Sequence, residues 1–451
     1  MTPLCSGPIS RRTFLRAGTL ALGGLTLSDL MAARAGTSAQ DTSVILVWLW
    51  GGPSQFETWD PKPDAPPEIR GPFRPIRTAV PGMDFCELFP RQAAVARRLA
   101  VVRSLHHTMS SHNDGSIEVL TGKTPVVPDA TSTAKSEHPD FGMVASRWRG
   151  IRPDGLPQYV GVPRAPFMTR PTYLGLGYQG FTAGDPSVPG FAPPGRGLVN
   201  GVNPDRLGDR RTLLGDFDRM RRDLDRAGSP DGTDPLRSAA FQILTGPGMA
   251  RAFDLSKEDD RLRDRYGRHQ WGQSCLLARR LAEAGSAVVT LDFLAPEPGK
   301  PIYFSWDDHA DAQPGWDLAR GMRWRAPFLD QALTALIDDV YDRGLDDRIL
   351  IVACGEFGRT PKISTNNGNI GRDHWPDAMT ALLSGGGLNV GQVVGATDSK
   401  GGYPKDRPLT PQDLLATMYR HLGVDRRHEF KDLGGRPIPI LSSGEPIREL
   451  V

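Results

Sequence analysis

Two stretches of this 451-residue chain constrain its fold most: Ser43–Trp50 (SVILVWLW) and Arg348–Cys354 (RILIVAC). Each is an almost uninterrupted apolar run. A strand with one solvated face alternates polar and apolar residues, so a run that is apolar at nearly every position must be covered on both faces. The first run stops at Gly51-Gly52-Pro53 and the second at Gly355, where loops are expected. Leu99–Leu105 and Ala287–Asp292 read as further strands. Between them lie segments of helical character: Arg91–Ala100, Ser111–Gly122 (with Asn113 or Asp114 as candidate cap), Pro204–Arg226 (with Asn203 as cap), Asp260–Gly285, Arg325–Gly344 and Pro411–Leu422. Strands alternating with helices specify an α/β fold whose mostly parallel sheet is wrapped on both faces. No internal repeat or sharp linker breaks residues 40–451, which therefore read as one domain. Residues 126–201 are rich in Pro and Gly with little periodicity, and are expected to form a loop-rich insertion.

The first 39 residues read as an address. Ser10-Arg11-Arg12-Thr13-Phe14-Leu15 precedes a mildly apolar stretch from Ala17 to Leu27, and small residues offer cleavage at Ala33-Arg34-Ala35 or Thr37-Ser38-Ala39. A basic start, a short apolar middle and a small-residue end make a signal peptide. Paired arginines followed by x-Phe-Leu mark the twin-arginine form, so the export machinery of that route is an expected partner and the periplasm or exterior the expected location. The apolar stretch is too short to span a bilayer, and no transmembrane segment is expected in the mature chain.

A formal net charge of +2 gives no concentrated basic face, which excludes a nucleic-acid footprint. Cys5 falls in the signal, leaving Cys86, Cys275 and Cys354; an odd number without CxxC spacing is neither a disulfide framework nor a structural zinc site. Cys354, inside an apolar run, is expected to be a buried and inert thiol.

Ligands of open parallel sheets bind beyond the carboxyl ends of the strands. The polar residues there are His106, His107, His112, Asn113 and Asp114 after the second strand, Asp307, Asp308 and His309 after the third, and Glu356, Arg359, Arg372, Asp373 and His374 after the fourth. Mixed imidazole and carboxylate ligands suit Zn, Mn or Fe better than Ca or Mg. Asp307, His309, Glu356 and His374 are the candidate metal ligands, and Arg359 and Arg372 the candidate holders of an oxyanion. His112 is open to several roles: ligand, general base, phosphohistidine-type nucleophile, or helix-capping core histidine. Ser54 and Ser111 are candidate hydroxyl nucleophiles, against the plainer role of capping or turning the chain. No HExxH, GxSxG, Walker loop or GxGxxG is present to narrow the chemistry.

Four segments carry a resemblance: GGPSQFETWDPKP from Gly51, WDDH from Trp306, GEFGRTP from Gly355 and GRDHW from Gly371. Together they resemble domain-of-unknown-function family 1501, from about Ser43 to near the C-terminus. That family is similar to alkaline phosphatases and sulfatases, which implies their three-layer α/β/α sandwich and a metal-dependent hydrolase of sulfate or phosphate esters, acting on a small-molecule or glycan ester. Against the sulfatase pattern C-x-P-S-R-x-x-L-x-T-G, the segment His112–Gly122 keeps Thr121-Gly122 but places His112 at the nucleophile and Ser116 at the supporting Arg. Glu356-Phe357 stands where the superfamily has Asp-His or Asp-Asn, and Gly51-Gly52 where its first strand ends in Asp-Asp. The resemblance therefore implies two functions to weigh: a metal-dependent hydrolase, or a catalytically degenerate extracytoplasmic binding or assembly protein on the same fold.

Overall fold

The computed structural model describes residues 41–192, 247–294, 305–310 and 317–451. The signal segment 1–39 and the helix expected at Pro204–Arg226 lie outside the described residues. Thr42–Val451 form one compact unit.

Strand β1 (Ser43–Trp48) is buried at every position, as its sequence requires. Val44, Leu46 and Trp48 enter one hydrophobic core, and Ile45, Val47 and Leu49 enter the other. Each such side chain removed from water contributes on the order of 1.5–3 kcal/mol, so this strand alone anchors both layers. Around it lie β2 (Ala100–Leu105), β3 (Tyr159–Val162), β4 (Phe181–Thr182), β5 (Val288–Asp292), β6 (Ile349–Cys354), β7 (Met379–Gly385) and β8 (Gln392–Val394). They form one sheet in the order β8-β2-β7-β6-β1-β5-β3-β4. All run parallel except β7, which is antiparallel to both β2 and β6.

Helices α1 (His112–Thr121), α2 (Phe141–Arg149) and α6 (Pro411–Leu422) pack on one face through Val119, Leu120, Met143, Val144, Leu414 and Met418. Helices α3 (Asp260–Tyr266), α4 (Gln270–Glu283) and α5 (Leu318–Asp342) cover the other through Tyr266, Leu277, Leu281, Leu329 and Leu333. The expected three-layer α/β/α sandwich with a mostly parallel central sheet is thus the observed one. Among the described residues no helix is long and apolar enough to cross a membrane.

Several local expectations are corrected. Arg91–Ala100 is a short helix, Pro90–Ala94, followed by a 3-10 turn, Ala96–Arg98. Asp260–Gly285 is two helices, because Gly267 (φ +98°) turns the chain and the His269 ring caps the second by accepting from Gly272 N at 3.2 Å. Helix α5 starts at Leu318, where Asp317 caps Arg320 N at 2.9 Å, and it runs through Pro327. The cap of α1 is Ser111, whose Oγ accepts from Asp114 N; Asn113 and Asp114 lie in the first turn. Segment 126–201 is not all loop: it supplies α2, β3 and β4, with Val160 in register with Val289 of the central sheet. Strand β3 escapes sequence reading because it is four residues long, with prolines close on either side.

Candidate metal and catalytic site

Strands β1, β5 and β6 are neighbours and parallel, so their carboxyl ends share one edge. Gly51-Gly52 follow β1 and Glu356 follows β6. The segment holding Asp307 is pinned to the end of β1 by the Trp306 N–H, which donates to Trp50 O at 3.1 Å. A short antiparallel ladder pairs Gly358–Arg359 with His374–Trp375 and swings His374 back over the edge. The start of α1 delivers His112. Residues hundreds of positions apart thus meet at one place.

The core of the site is a triangle. His309 Nε2 and His374 Nε2 lie 3.0 Å apart, and Asp307 Oδ1 is 3.0 Å from the first and 3.2 Å from the second. His374 Nδ1 lies 2.7 Å from the Ser110 carbonyl oxygen, and His309 Nδ1 lies 3.0 Å from Asp373 Oδ1. Those oxygens only accept, so each Nδ1 carries the hydrogen, and in the neutral ring Nε2 is left with a lone pair. Two ring lone pairs and a carboxylate oxygen then converge, an arrangement that needs a positive charge at its centre. A divalent cation could be held there. Ligand bonds of about 2.0–2.2 Å in tetrahedral directions put donor atoms about 3.3 Å apart, the scale of this triangle. The Nδ1 contacts to a carbonyl and a carboxylate are those that orient ligating histidines elsewhere.

The electrostatics follow from burial and neighbours. Burial alone would raise the Asp307 pKa, but the Arg359 guanidinium and the surrounding His112, His309 and His374 rings hold it far below the usual carboxylate range. Burial lowers the His374 pKa, outweighing its contact with Asp307. His309 is also desolvated, yet the hydrogen bond and charge of Asp307 move it upward.

His112 bridges two carboxylates, with Nδ1 2.7 Å from Glu356 Oε1 and Nε2 3.2 Å from Asp307 Oδ2. Burial of the ring works against its charge, but hydrogen bonds to Asp307 and Glu356 and their charges prevail and raise its pKa to about 9. Trp50 stacks on it, centroids 4.9 Å apart at 21°, and Phe357 packs at 5.3 Å. His112, Asp307 and His374 also offer ligand atoms within 4.8 Å of one another. Glu356, expected as a ligand, reaches the cluster through His112: its Oε1 takes the His112 ring and the Gly51 N–H at 2.9 Å. Its Oε2 is buried with no hydrogen-bond partner among the described residues.

The two arginines are placed differently from the expected oxyanion holders. Both are fully buried. Arg359 donates through Nε to Gly52 O at 2.8 Å, through Nη1 to Arg372 O at 2.9 Å, and through Nη2 to Gly51 O and to Asp307 Oδ1 at 2.5 Å. It neutralises Asp307. Arg372 faces Glu57, with Nη2–Oε1 at 2.8 Å and Nε–Oε2 at 3.0 Å, and spends its other hydrogens on the carbonyls of Thr360, Pro361 and Ile69. A guanidinium has five N–H donors: Arg372 spends all five on protein acceptors, whereas Arg359 spends four and its remaining one, on Nη1, faces His309 Nε2 at 3.4 Å inside the cluster.

Other expectations resolve in the same way. Asp308, next to Asp307, turns inward to pair with Arg325; burial outweighs that partner's pull and raises its pKa to about 6. Ser111 Oγ is engaged with Asp114 at 2.8 Å and Ser54 Oγ with Glu57, so both hydroxyls do structural work. His107 is buried against Glu356 O at 2.6 Å. Cys86, Cys275 and Cys354 are free and buried, and burial pushes their thiols well up, which makes them inert as anticipated for Cys354.

Sequence reading missed the supports of the site: Trp50, Gln55, Glu57, Phe357 and the Ser110 carbonyl. Gln55 clamps the Arg359 backbone from both sides, accepting from its N at 2.8 Å and donating to its O at 2.9 Å. One signal was available in Gly51-Gly52. Their φ values are +112° and +75°, and a Cβ would meet Asp307 N at 2.7 Å or the Phe357 ring at 2.5 Å. Only glycine lets the chain leave β1 this close to the catalytic edge.

Fold and site together define a class: a three-layer α/β protein carrying a His/Asp cluster at the carboxyl edge of its parallel strands. Residues 41–451 match the family described as "Protein of unknown function (DUF1501)", and the chain belongs to that family. No curated protein matches it by sequence. Among solved structures it is similar to the PsFucS1 sulfatase from Pseudoalteromonas sp., at 14% identity over 87% of this chain and 70% of that one, TM-score 0.36. It is similar to the lipoteichoic acid synthase LtaP from Listeria monocytogenes, at 13% identity over 90% and 76%, TM-score 0.35. The phosphonate monoester hydrolase SpPMH from Silicibacter pomeroyi is similar at 13% identity over 80% and 71%, TM-score 0.30. At such scores the fold rests on the chain's own sheet order and layers.

Proposed function

We propose that this protein is a metal-dependent hydrolase of sulfate or phosphate esters, exported by the twin-arginine route. The observation that carries the reading is the convergence of His309 Nε2, His374 Nε2 and Asp307 Oδ1 within 3.0–3.2 Å, with both Nδ1 atoms already engaged. Asp307, His309 and His374 would hold a divalent cation of the Zn, Mn or Fe kind. Such an ion supplies Lewis-acid polarisation of the ester and a lowered pKa for the attacking water.

The chain's own residues do the rest. Arg359 keeps Asp307 charged and fixed. Glu356 holds Nδ1 of His112, so the ring presents its other N–H toward the cluster. We assign His112 the transfer of that proton to the departing alcohol. With Ser54 and Ser111 both bound elsewhere, the nucleophile is water and not an enzyme hydroxyl. The second reading, a binding protein without turnover, is favoured by one observation: Arg372 has no N–H left for an oxyanion, and Arg359 has only the one on Nη1 that faces His309 Nε2.

Metal analysis of the mature protein separates these. Expected are a stoichiometric divalent ion, a fall of a few degrees in Tm on chelation, as removal of a tight ligand of the native state requires, and turnover of an aryl sulfate or aryl phosphate that chelation abolishes. Absence of both the ion and the chelator effect would end the metal reading; an ion without turnover of either ester would select the binding protein. Export is tested apart: replacing Arg11 and Arg12 by lysine is expected to leave uncleaved precursor in the cytoplasm, and normal processing of that variant would refute the assigned route.

A further inference from the structure

An anionic ester needs cations that are not already engaged, and the two arginines inside the cluster offer a single N–H between them, on Arg359 Nη1 beside His309 Nε2. The aromatic stack that begins at His112 leads outward to others. Trp50 lies on His112, and Phe167 packs beside Trp50 with centroids 6.3 Å apart. Lys135 Nζ sits 4.3 Å from the Phe167 centroid, and the Arg164 guanidinium carbon 5.9 Å from it. Phe167 keeps 43% of its surface open. Arg164 is half exposed and is steadied by one bond, Nε to Asp292 Oδ2 at 2.8 Å, at the end of β5. Lys135 is steadied by donating to Phe167 O at 2.8 Å. Trp50 itself is 8% exposed and forms the inner end of the stack.

We propose that Trp50, Lys135, Arg164 and Phe167 form a subsite for an anionic sugar ring adjoining the scissile ester. The inference rests on the hydrolase reading for what the neighbouring cluster does, but it concerns binding alone. The apolar C–H face of a sugar packs on the open part of Phe167. A sulfate or carboxylate on that ring meets Lys135 and Arg164. Charge without the aromatic ring would attract any anion; the ring beside two cations selects a cyclic, apolar-faced anion.

The test is calorimetric titration of the mature protein, held in chelator so that no turnover occurs, with a sulfated disaccharide and its desulfated counterpart. The sulfated form is expected to bind, and the desulfated form about tenfold more weakly, as loss of charge-assisted hydrogen bonds implies. Lys135→Gln and Phe167→Ala, both at exposed positions, are each expected to weaken the sulfated ligand by about tenfold while Tm stays unchanged. Arg164→Lys keeps a positive partner for Asp292 and tests the guanidinium without orphaning that carboxylate. Equal binding of the two disaccharides, or wild-type affinity in both Lys135→Gln and Phe167→Ala, would overturn the subsite. Sulfate-dependent binding in a protein that hydrolyses neither aryl ester supports the subsite and counts only against the hydrolase reading.

Discussion

Asp307→Ala is expected to remove metal and turnover together and to destabilise the fold by about 3–5 kcal/mol, the cost typical of breaking one side of a buried ion pair. Four groups converge on this carboxylate: Arg359 Nη2 at 2.5 Å, His309 Nε2 at 3.0 Å, and His112 Nε2 and His374 Nε2, each at 3.2 Å. Arg359 is fully buried, so deleting its carboxylate leaves a cation facing backbone carbonyls and the His309 ring, with no anionic partner among the described residues. Two companion variants separate the contributions. Asp307→Asn keeps the shape and one acceptor oxygen, and should lose the ion and the activity at a smaller cost in stability. His309→Ala removes a donor whose side chain is 23% exposed, and should lose the ion with little change in unfolding. Urea unfolding, metal content and aryl-ester turnover, measured on all three, check the ordering. A stable, active Asp307→Ala protein would mean that the convergence has no chemical purpose.

What could be read from the sequence follows from where the physics is local. The double-sided burial of Ser43–Trp48 and Ile349–Cys354 is written into consecutive residues, so the sheet was legible, and with it the edge on which His112, Asp307, Glu356 and His374 would stand. Strand β7 was not, because MTALLSG mixes polar and apolar positions; it is held by pairing with β2 and β6 and not by its own pattern. Asp307 was the candidate ligand and Asp308 was not, but no local pattern forces that choice. Adjacent residues in a loop differ only in which way the chain turns, and it turns Asp308 onto Arg325 of α5. The role of Glu356 as support for His112, and not a member of the triangle, depends on 244 residues of intervening chain folding first. Motif spacing identifies which residues are near the edge. It does not say which of them face one another.

The same limit explains Arg372, and it yields the other large expected effect: Arg372→Met should cost about 3–5 kcal/mol while leaving the apparent KM for an aryl ester unchanged in the protein that remains folded. Its guanidinium grips Glu57 with two bonds, lies 4.2 Å over the Phe56 ring, and holds the carbonyls of Thr360, Pro361 and Ile69. Glu57 is 1% exposed, and without Arg372 it keeps only Ser54 as a side-chain partner, so its charge would be stranded in the interior. Glu57→Leu introduced alone should be comparably harmful, because the buried guanidinium is then the stranded group. In the double variant Glu57→Leu/Arg372→Met no charge remains, and part of the loss should return; the three carbonyls stay unpaired, which sets a floor on the rescue. A coupling of roughly 1–3 kcal/mol in this cycle, read by urea unfolding, would identify Arg372 as the clamp that holds the Phe56–Glu57 loop against the GRDHW segment. If Arg372→Met instead keeps wild-type stability and raises KM tenfold or more, the arginine reaches substrate, and the pairing with Glu57 does not persist in the working protein.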